Sequence, residues 1–191
     1  MKVPVVKNPN PQGKGMVPVL RDWATMQPSV VAPKSPAAFL RDYCISSLVL
    51  AAQFGFKPVV GKTYFLYARE QDWNLSLISP SEWGQQAPGE CLGECCLRPD
   101  MTWAIDTSGL YSTSLAALAR ARNFVEAFVE TVSGQDEIAA NLPFYASNLP
   151  YYQRLLGTAL ASSLQRSMPD NSHEVKTLLA DTQEWLLPSG N

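Results

Sequence analysis

A Gly-Lys-Thr triplet at positions 61–63 is the first stretch whose residue types point to chemistry. A phosphate-binding loop needs Gly, four further residues and then Gly-Lys-Ser/Thr, placed between a strand and a helix. Position 56 is Phe rather than Gly, and Pro58 lacks a backbone N–H that could meet phosphate. The next residues, Tyr-Phe-Leu-Tyr, favour a strand, so no helix N-terminus faces the site. We interpret the triplet as a turn into a strand.

The four cysteines, Cys44, Cys91, Cys95 and Cys96, raise the question of a metal site. Cys91 and Cys95 are four residues apart on a predicted strand, which separates their Cα atoms by roughly 13 Å. Two thiolates at that distance cannot share one zinc ion, whose Zn–S bonds are about 2.3 Å long. We therefore predict free, buried thiols, with neither a metal nor a cofactor.

Residues for acid–base or nucleophilic catalysis do not form a recognisable set. The one histidine, His173, lies beside Ser172 and Glu174 at a predicted helix start, and no Gly-x-Ser-x-Gly elbow is present. Paired carboxylates do acid–base work only at a suitable separation, which the sequence does not fix. The carboxylates in and around the predicted sheet are Glu70, Glu82, Glu90, Glu94, Asp100 and Asp106. We name no catalytic residue, and the prediction leans against an enzyme.

Aromatic side chains offer a better case for binding than for catalysis. Trp83 lies in a Pro/Gly-containing loop, where it either folds back onto the core or anchors a ligand or partner, as Trp, Tyr and Arg often do. Two segments seven residues apart, 141–145 and 148–152, repeat Asn-Leu-Pro followed by two aromatic residues. They predict either two successive helix starts or an aromatic surface of Phe144, Tyr145, Tyr151 and Tyr152. The candidate binding residues are Tyr67, Arg69, Glu82, Trp83, Trp103, Tyr151 and Tyr152.

The elements that must position these residues follow from hydrophobic periodicity and turn residues. Ser35 caps a predicted helix with Pro36 in its first turn, and the helix ends near Gly55. The predicted strands are Thr63–Glu70, Trp73–Ser79, Cys91–Arg98 and Met101–Ile105, with a turn at 70–72 and a loop at 80–89. Helical periodicity returns after Ser112 as far as Gly134, then over Tyr151–Met168, and finally from Asn171 or Ser172 to Leu187.

This order predicts an α+β fold in which a small antiparallel β-meander of three to four strands packs against four or five α-helices. Residues 34–191 form the single domain. Residues 1–33 contain six prolines and form an N-terminal arm. The apolar residues Met16, Val17, Val19, Leu20 and Trp23 predict that part of this arm docks onto the domain.

Composition limits the partners. The formal net charge is −2 and charged residues make up 17%, so no nucleic-acid contact is expected from the chain as a whole. The apolar run Leu48–Ala52 is far short of the roughly 20 residues of a membrane span. The N-terminus lacks the apolar core of a signal peptide. We expect a cytoplasmic protein without membrane contact.

Several of these segments resemble an uncharacterised family, domain of unknown function 2452, in its bacterial branch. The resemblance rests on a tyrosine-rich strand at 64–70, the segment 75–84 with Glu82-Trp83-Gly84, the pair Leu92-Gly93, and Asp100-x-Thr102-Trp103. The stretches 8–15 and 149–154 also look similar to that family, which extends the resemblance over most of the chain. It implies a shared fold and supplies no mechanism.

The sequence favours a non-enzymatic interaction or adaptor module that binds an unknown protein partner through the Trp83 loop and the aromatic repeat. The alternative is a small-molecule binder or enzyme with a pocket between sheet and helices, using Tyr67, Arg69, Glu82 and Trp103. A third option is a nucleic-acid contact by Lys2, Lys7, Lys14 and Arg21 of the arm. The oligomeric state is left open.

Overall fold

The computed structural model describes residues 13–108, 114–133 and 149–168, with side chains from residue 18 onwards. The helices are α1 Gly13–Thr25, α2 Pro36–Leu50, α3 Pro80–Trp83, α4 Leu115–Ser133 and α5 Tyr151–Ser167. The strands are β1 Ala52–Gln53, β2 Thr63–Ala68, β3 Trp73–Ser76, β4 Glu90–Leu97 and β5 Trp103–Asp106, and a 3-10 turn spans Gly84–Gln86. Five helices and a five-stranded sheet in this part of the chain confirm the α+β prediction.

The sheet has the strand order β1-β3-β2-β4-β5, with β2 at its centre. β2 pairs antiparallel with both β3 and β4, β4 pairs antiparallel with β5, and β1 lies parallel to β3. The predicted antiparallel meander is therefore wrong, because β4 adds beside β2 rather than β3 and the sheet is mixed. The long connection from β3 to β4 allows this, since only a tight hairpin turn forces consecutive strands to be neighbours.

Helix α2 begins where the sequence predicts and ends earlier. The Ser35 side chain accepts a hydrogen bond from the Ala38 N–H, and Pro36 occupies the first turn. The helix ends at Leu50, because the next residues leave it to form β1 beside β3. The Gln153 side chain of α5 donates to the carbonyls of Leu50 and Ala52, which holds this change of direction in place.

The core lies between one face of the sheet and helices α2, α4 and α5. Tyr64 and Leu66 of β2 point into it, and Phe39 and Leu40 of α2 are fully buried against the same cluster. The Tyr64 ring stacks on Phe56 at 5.4 Å and meets the edge of Trp103 at 5.7 Å between centroids. Ten of the fifteen residues of α2 are buried, including the polar Asp42 and Ser46, so most of its circumference is covered.

The later helices agree with the predicted periodicity. Helix α4 ends at Ser133, next to the predicted stop at Gly134, and α5 covers the predicted Tyr151–Met168 segment except for its last residue. Pro150 precedes the first turn of α5, as its lack of an N–H favours. The first aromatic segment, 141–145, and the final predicted helix with His173 lie outside the described residues.

The N-terminal arm contains helix α1 and packs across the domain through fewer residues than predicted. Met26 is buried, Asp22 bonds to Lys57, and Ser29 donates to the Pro99 carbonyl from both its N–H and its hydroxyl. The predicted docking cluster is wrong for its described members: Val19, Leu20 and Trp23 are 46%, 61% and 41% exposed. Asp22 on the helix and Met26 just after it make the contact, whereas these three apolar side chains lie outside it.

No helix in the described ranges combines the length and apolar character needed to cross a bilayer.

Candidate functional site

The loop after β3 is built on two polar side chains of the sheet. The hydroxyl of Tyr67, which is fully buried on β2, donates to the Ile78 carbonyl at 2.9 Å. Ser76, the last residue of β3, accepts at its Oγ from the Ile78 N–H at 3.0 Å and from the Trp83 indole N–H at 3.4 Å. The path of residues 76–83, called here the 76–83 loop, is therefore fixed to the sheet at both ends.

Ser79 and Glu82 fix the middle of the 76–83 loop by a capping box. The Glu82 N–H donates to Ser79 Oγ at 3.4 Å, and the Ser79 N–H donates back to Glu82 Oε2 at 2.9 Å. The Ser79 hydroxyl also donates to Glu82 Oε2 at 2.7 Å. These hydrogen bonds favour the ionised carboxylate and lower the pKa of Glu82. Pro80 begins the single turn of α3 in the position that tolerates proline.

This framework leaves two aliphatic side chains facing solvent. Leu77 is 51% exposed and Ile78 is 39% exposed, while Trp83 at the end of the loop is half-buried. We call Leu77 and Ile78 the 77–78 surface. Trp83 is thus neither a fully buried core residue nor a protruding anchor; its indole supports the loop that presents the two aliphatic residues.

Arg69 and Glu82 do not meet in a common site. Arg69 is exposed and its Nε lies 3.5 Å from Asp72 Oδ1 across the β2–β3 turn. It lines a surface depression with Glu70, Gln71, Asp72 and Pro88. Glu82 is not among these residues, and its carboxylate accepts from the Ser79 hydroxyl instead.

Trp103 has a structural position on the core face of the sheet. It is 1% exposed, packs against Tyr64, and its N–H donates to the Ser46 hydroxyl at 2.9 Å. Tyr67 belongs to the opposite face, since it alternates with Leu66 along β2. The structure therefore separates Trp103 from Tyr67, two residues that the pocket hypothesis places together.

The turn before Trp103 is held by a carboxylate. Asp100 Oδ1 accepts from the Thr102 N–H at 3.0 Å and from its hydroxyl at 2.6 Å, and Met101 takes a left-handed conformation with φ of 65°. Burial opposes ionisation of Asp100, but the hydrogen bonds from Lys34 and Thr102 and the Lys34 charge prevail and lower its pKa. The Asp-x-Thr-Trp step thus builds the β4–β5 turn.

A cluster of four charged residues ties Lys34, the residue that follows the arm, to α2 and this turn. Lys34 Nζ lies 2.6 Å from a carboxylate oxygen of both Asp42 and Asp100, and Arg98 lies 2.8 Å from the second oxygen of Asp42. The sequence analysis missed this cluster. Asp42 was the residue in the sequence that could have revealed this cluster. A carboxylate that lies among the apolar residues of a buried helix needs a cation nearby.

Three of the carboxylates around the sheet hydrogen-bond to a Ser or Thr close by in the chain. Glu82 accepts from Ser79 and Asp100 from Thr102, as described above. Asp106 likewise accepts from the N–H and hydroxyl of Ser108, which lowers its pKa. This is local turn and cap chemistry, and it engages these side chains without pairing one carboxylate with another.

Tyr151 and Tyr152 lie at the start of α5 and are half-buried. Their rings meet edge to face at 5.1 Å, and the Tyr151 hydroxyl is 3.4 Å from Asp22 of α1. Burial and the Asp22 carboxylate raise the pKa of Tyr151. Tyr151 therefore contacts the N-terminal arm through Asp22.

The cysteines are free thiols in this structure. Cys91, Cys95 and Cys96 lie on β4, so the strand geometry assumed in the sequence analysis is confirmed. Burial raises the pKa of Cys44 to about 12 and that of Cys95 well above its usual value, so both stay protonated and unreactive. In the part of the chain that the structure describes, no three His, Cys, Asp or Glu residues form a group suited to a metal ion.

A cleft of about 650 Å³ lies at the β1 edge of the sheet. Its walls come from the end of α2, from β1 and β3, and from the start of α5. The lining residues are Leu50, Ala51, Gln53, Phe54, Gly55, Asn74, Leu149, Pro150 and Gln153. None of the seven candidate binding residues lines it.

These features define an α+β protein whose motif residues build turns, caps and a rigid loop. A family model described as Protein of unknown function (DUF2452) matches residues 40–111. The match runs from α2 to just beyond β5 and includes the 76–83 loop, so the family resemblance is confirmed for this segment; the stretches 8–15 and 149–154 lie outside it. No curated protein and no solved structure matches the chain.

Proposed function

We propose that this protein is a protein-interaction module and that the 77–78 surface is its contact point. The observation that carries the proposal is the exposure of Leu77 and Ile78, at 51% and 39%, on a loop fixed by hydrogen bonds on both sides. Loops that a rigid scaffold positions are common binding elements. Among the carboxylates considered for acid–base work, by contrast, Glu82, Asp100 and Asp106 are engaged by internal hydrogen bonds.

Rigidity favours binding because association then costs little ordering entropy. The Tyr67 hydroxyl, the Ser76 hydroxyl and the Ser79–Glu82 capping box hold the loop before any partner arrives. A partner pocket that takes up Leu77 and Ile78 gains about 25 cal/mol for each Å² of apolar surface that it covers. Trp83 contributes through its indole N–H, which donates to the Ser76 hydroxyl at the start of the loop.

The test is photo-crosslinking from the proposed contact point in cells that produce the protein. A benzophenone amino acid replaces Leu77 in one sample and Leu115 in the control. Leu115 is a matched control, because it is also an aliphatic residue and is 83% exposed on α4. We expect discrete crosslinked proteins from position 77 that position 115 does not give.

A second variant makes this test specific. Ile78→Asp places a charge in the centre of the contact while leaving the loop hydrogen bonds, which involve only the Ile78 backbone, intact. The position-77 crosslinks should disappear in that background. Identical crosslinks from positions 77 and 115, or crosslinks that survive Ile78→Asp, would contradict the proposal.

The cleft at the β1 edge favours a second candidate function, the binding of a small molecule. Its volume of about 650 Å³ falls within the range of about 300–1,000 Å³ typical of ligand sites. Phe54 offers an apolar wall, while Gln53 and Asn74 offer amide groups.

Native mass spectrometry of the purified protein tests this candidate. A bound metabolite should add a constant mass, and filling the cleft with Gly55→Trp should remove it. Gly55 suits the purpose because an added Cβ there meets no atom within 4 Å. A bare protein mass after gentle purification would count against this candidate and leave the interaction proposal standing.

A further inference from the structure

We propose that the 77–78 surface takes a basic segment with apolar side chains, and that helix α1 of a second copy of this chain supplies it. This inference rests on the proposed function, since it names the partner of the same surface. Two independent features carry it: the acidic chain segment that contains residues 77 and 78, and the basic segment 1–23, whose helix α1 has uncovered apolar side chains.

The chain around the 77–78 surface is acidic over a long stretch. Residues 70–97 contain five carboxylates and neither Lys nor Arg. The carboxylates are Glu70, Asp72, Glu82, Glu90 and Glu94. Asp72 pairs with Arg69, whereas the four glutamates form no ion pair with any residue that the structure describes. Leu77 and Ile78 therefore lie within a segment of uncompensated negative charge, which attracts a basic partner.

The N-terminal segment has the opposite character. Residues 1–23 contain Lys2, Lys7, Lys14 and Arg21 against Asp22 alone, a formal charge of +3 in a chain whose net charge is −2. Lys57, at 2.5 Å, neutralises Asp22. Arg21 is exposed beside Leu20. This segment is the basic counterpart of the acidic one within the same sequence.

Helix α1 also brings the apolar side chains that such a contact needs. Val19, Leu20 and Trp23 are 46%, 61% and 41% exposed, although the helix is anchored to its own domain. The anchors are Asp22, which meets Lys57 and Tyr151, and the buried Met26. Because the anchors and the exposed residues are different side chains, α1 can stay on its own domain while it contacts another molecule.

The contact joins two different surfaces and is therefore heterologous. Each molecule has one α1 to offer and one 77–78 surface to receive it, so association continues into open chains or closes into a ring. The apolar patches comprise only two or three side chains each, and Arg21, Glu70, Glu82 and Glu90 are exposed, so we expect a weak contact that salt screens. We expect self-association that grows with protein concentration and is reversed by salt.

Sedimentation velocity on a dilution series of the full chain tests the inference. Wild-type protein at low ionic strength should form species larger than the monomer, and raising the salt should return it to monomer. Leu77→Asp and Trp23→Asp should each weaken self-association by about tenfold or more, as loss of a central contact residue does. Leu115→Asp, on α4, should not change it.

Mixing the two variants separates a heterologous contact from any other kind. Leu77→Asp retains an intact α1, and Trp23→Asp retains an intact 77–78 surface, so their mixture can form one good contact. The mixture should therefore give a dimer, although each variant alone stays monomeric. Circular dichroism melts check that both fold, and Leu20→Asp replaces Trp23→Asp if that variant does not.

Wild-type protein that stays monomeric at every concentration in low salt would overturn the inference, as would a mixture that gives no dimer. The failure of this inference can be distinguished from a failure of the proposed function. If position 77 crosslinks to a different protein while the wild type is monomeric, the 77–78 surface is an interaction site and only its assignment to a second copy is wrong.

Discussion

Glu82 and Ser79 show how a residue that looks catalytic can serve the loop that holds it. The Glu82 carboxylate accepts hydrogen bonds from the N–H and the hydroxyl of Ser79, and these bonds strengthen when it is ionised. The pKa of Glu82 is therefore lowered, which suits a carboxylate that caps the start of a helix, whereas a general acid needs a raised pKa.

This arrangement predicts a pH dependence at the residue scale. Because the folded pKa of Glu82 lies below its unfolded value, its contribution to stability is present above the unfolded pKa and is lost as the pH falls through the folded pKa. Carboxyl-detected NMR should show Glu82 titrating at lower pH than an ordinary glutamate. In Ser79→Ala the Glu82 pKa should rise towards that ordinary value, and the lost cap should cost about 1 kcal/mol. An unchanged titration would show that Ser79 is not the cause.

Two tryptophans should differ in what they contribute to stability. Trp83 is half-buried and Trp103 is 1% exposed, so Trp103→Ala should cost about 3–5 kcal/mol and Trp83→Ala about half of that. Chemical denaturation of both variants measures this difference. Equal losses would place Trp83 in the core, and no loss for Trp83→Ala would mean that its indole does not support the 76–83 loop.

At the scale of elements, β4 and β5 approach so closely that one position has room only for glycine. A Cβ built on Gly93 would lie 2.3 Å from the backbone oxygen of Asp106, and backbone cannot give way as a flexible side chain can. Gly93→Ala should therefore cost on the order of 3 kcal/mol by forcing the strands apart. Gly55→Ala is the control, because its Cβ would meet nothing within 4 Å. Similar thermal melts for the two variants would disprove the close approach.

The arm is fastened to α2 and the β4–β5 turn through Lys34. Lys34→Met leaves Asp100 without its cation and Asp42 with Arg98 alone, so the variant should lose about 3 kcal/mol at neutral pH. The lowered pKa of Asp100 means that its stabilising contribution fades as the pH falls through that pKa. The difference between variant and wild type should therefore shrink in acid.

A matched lysine shows whether the loss belongs to this cluster. Lys62 is exposed in the turn before β2, and Lys62→Met should be close to neutral in urea unfolding at every pH. A loss for Lys34→Met that stays constant from neutral to acidic pH would mean that packing of the side chain, rather than its charge, is what α2 and the turn require.

For the whole molecule, strand order predicts the order in which backbone amides exchange. β2 lies at the centre of the sheet with a paired strand on each side, whereas β1 is a two-residue edge strand. Amides of β2 should be among the slowest to exchange in hydrogen–deuterium experiments, and those of β1 and α3 much faster. Exchange that is equally slow in β1 and β2 would contradict the topology.

Many of the secondary-structure elements could be predicted from residues close together in the sequence. The Ser35-Pro36 start of α2, the turn at 61–63 and all four predicted strands appear where their residues indicate, because caps, turns and short strands depend on near neighbours. The end of α2 was not predictable in this way. It depends on Trp73 pairing with Ala52, and on Gln153, about a hundred positions later, binding the Leu50 carbonyl.

For the candidate site as well, some features could be predicted from the sequence and others depended on the tertiary structure. Composition and spacing excluded a phosphate loop at Gly61-Lys62-Thr63, and they directed attention to Trp83 and its neighbours. They did not reveal that Tyr67 and Trp103 belong to opposite faces, or that Leu77 and Ile78 are more exposed than Trp83. Which side of a strand faces the core follows from pairing register, and register is a property of two strands together.

The sequence by itself determined the class of fold, the local ends of most elements, the family resemblance and the opposite charges of residues 1–23 and 70–97. Only the tertiary structure decided the strand order, the cluster around Lys34 and which apolar side chains remain uncovered. The physical reason is the separation along the chain between the residues that interact. Caps, turns and local charge depend on residues a few positions apart. Burial and long-range ion pairing depend on segments that come together only when the chain folds.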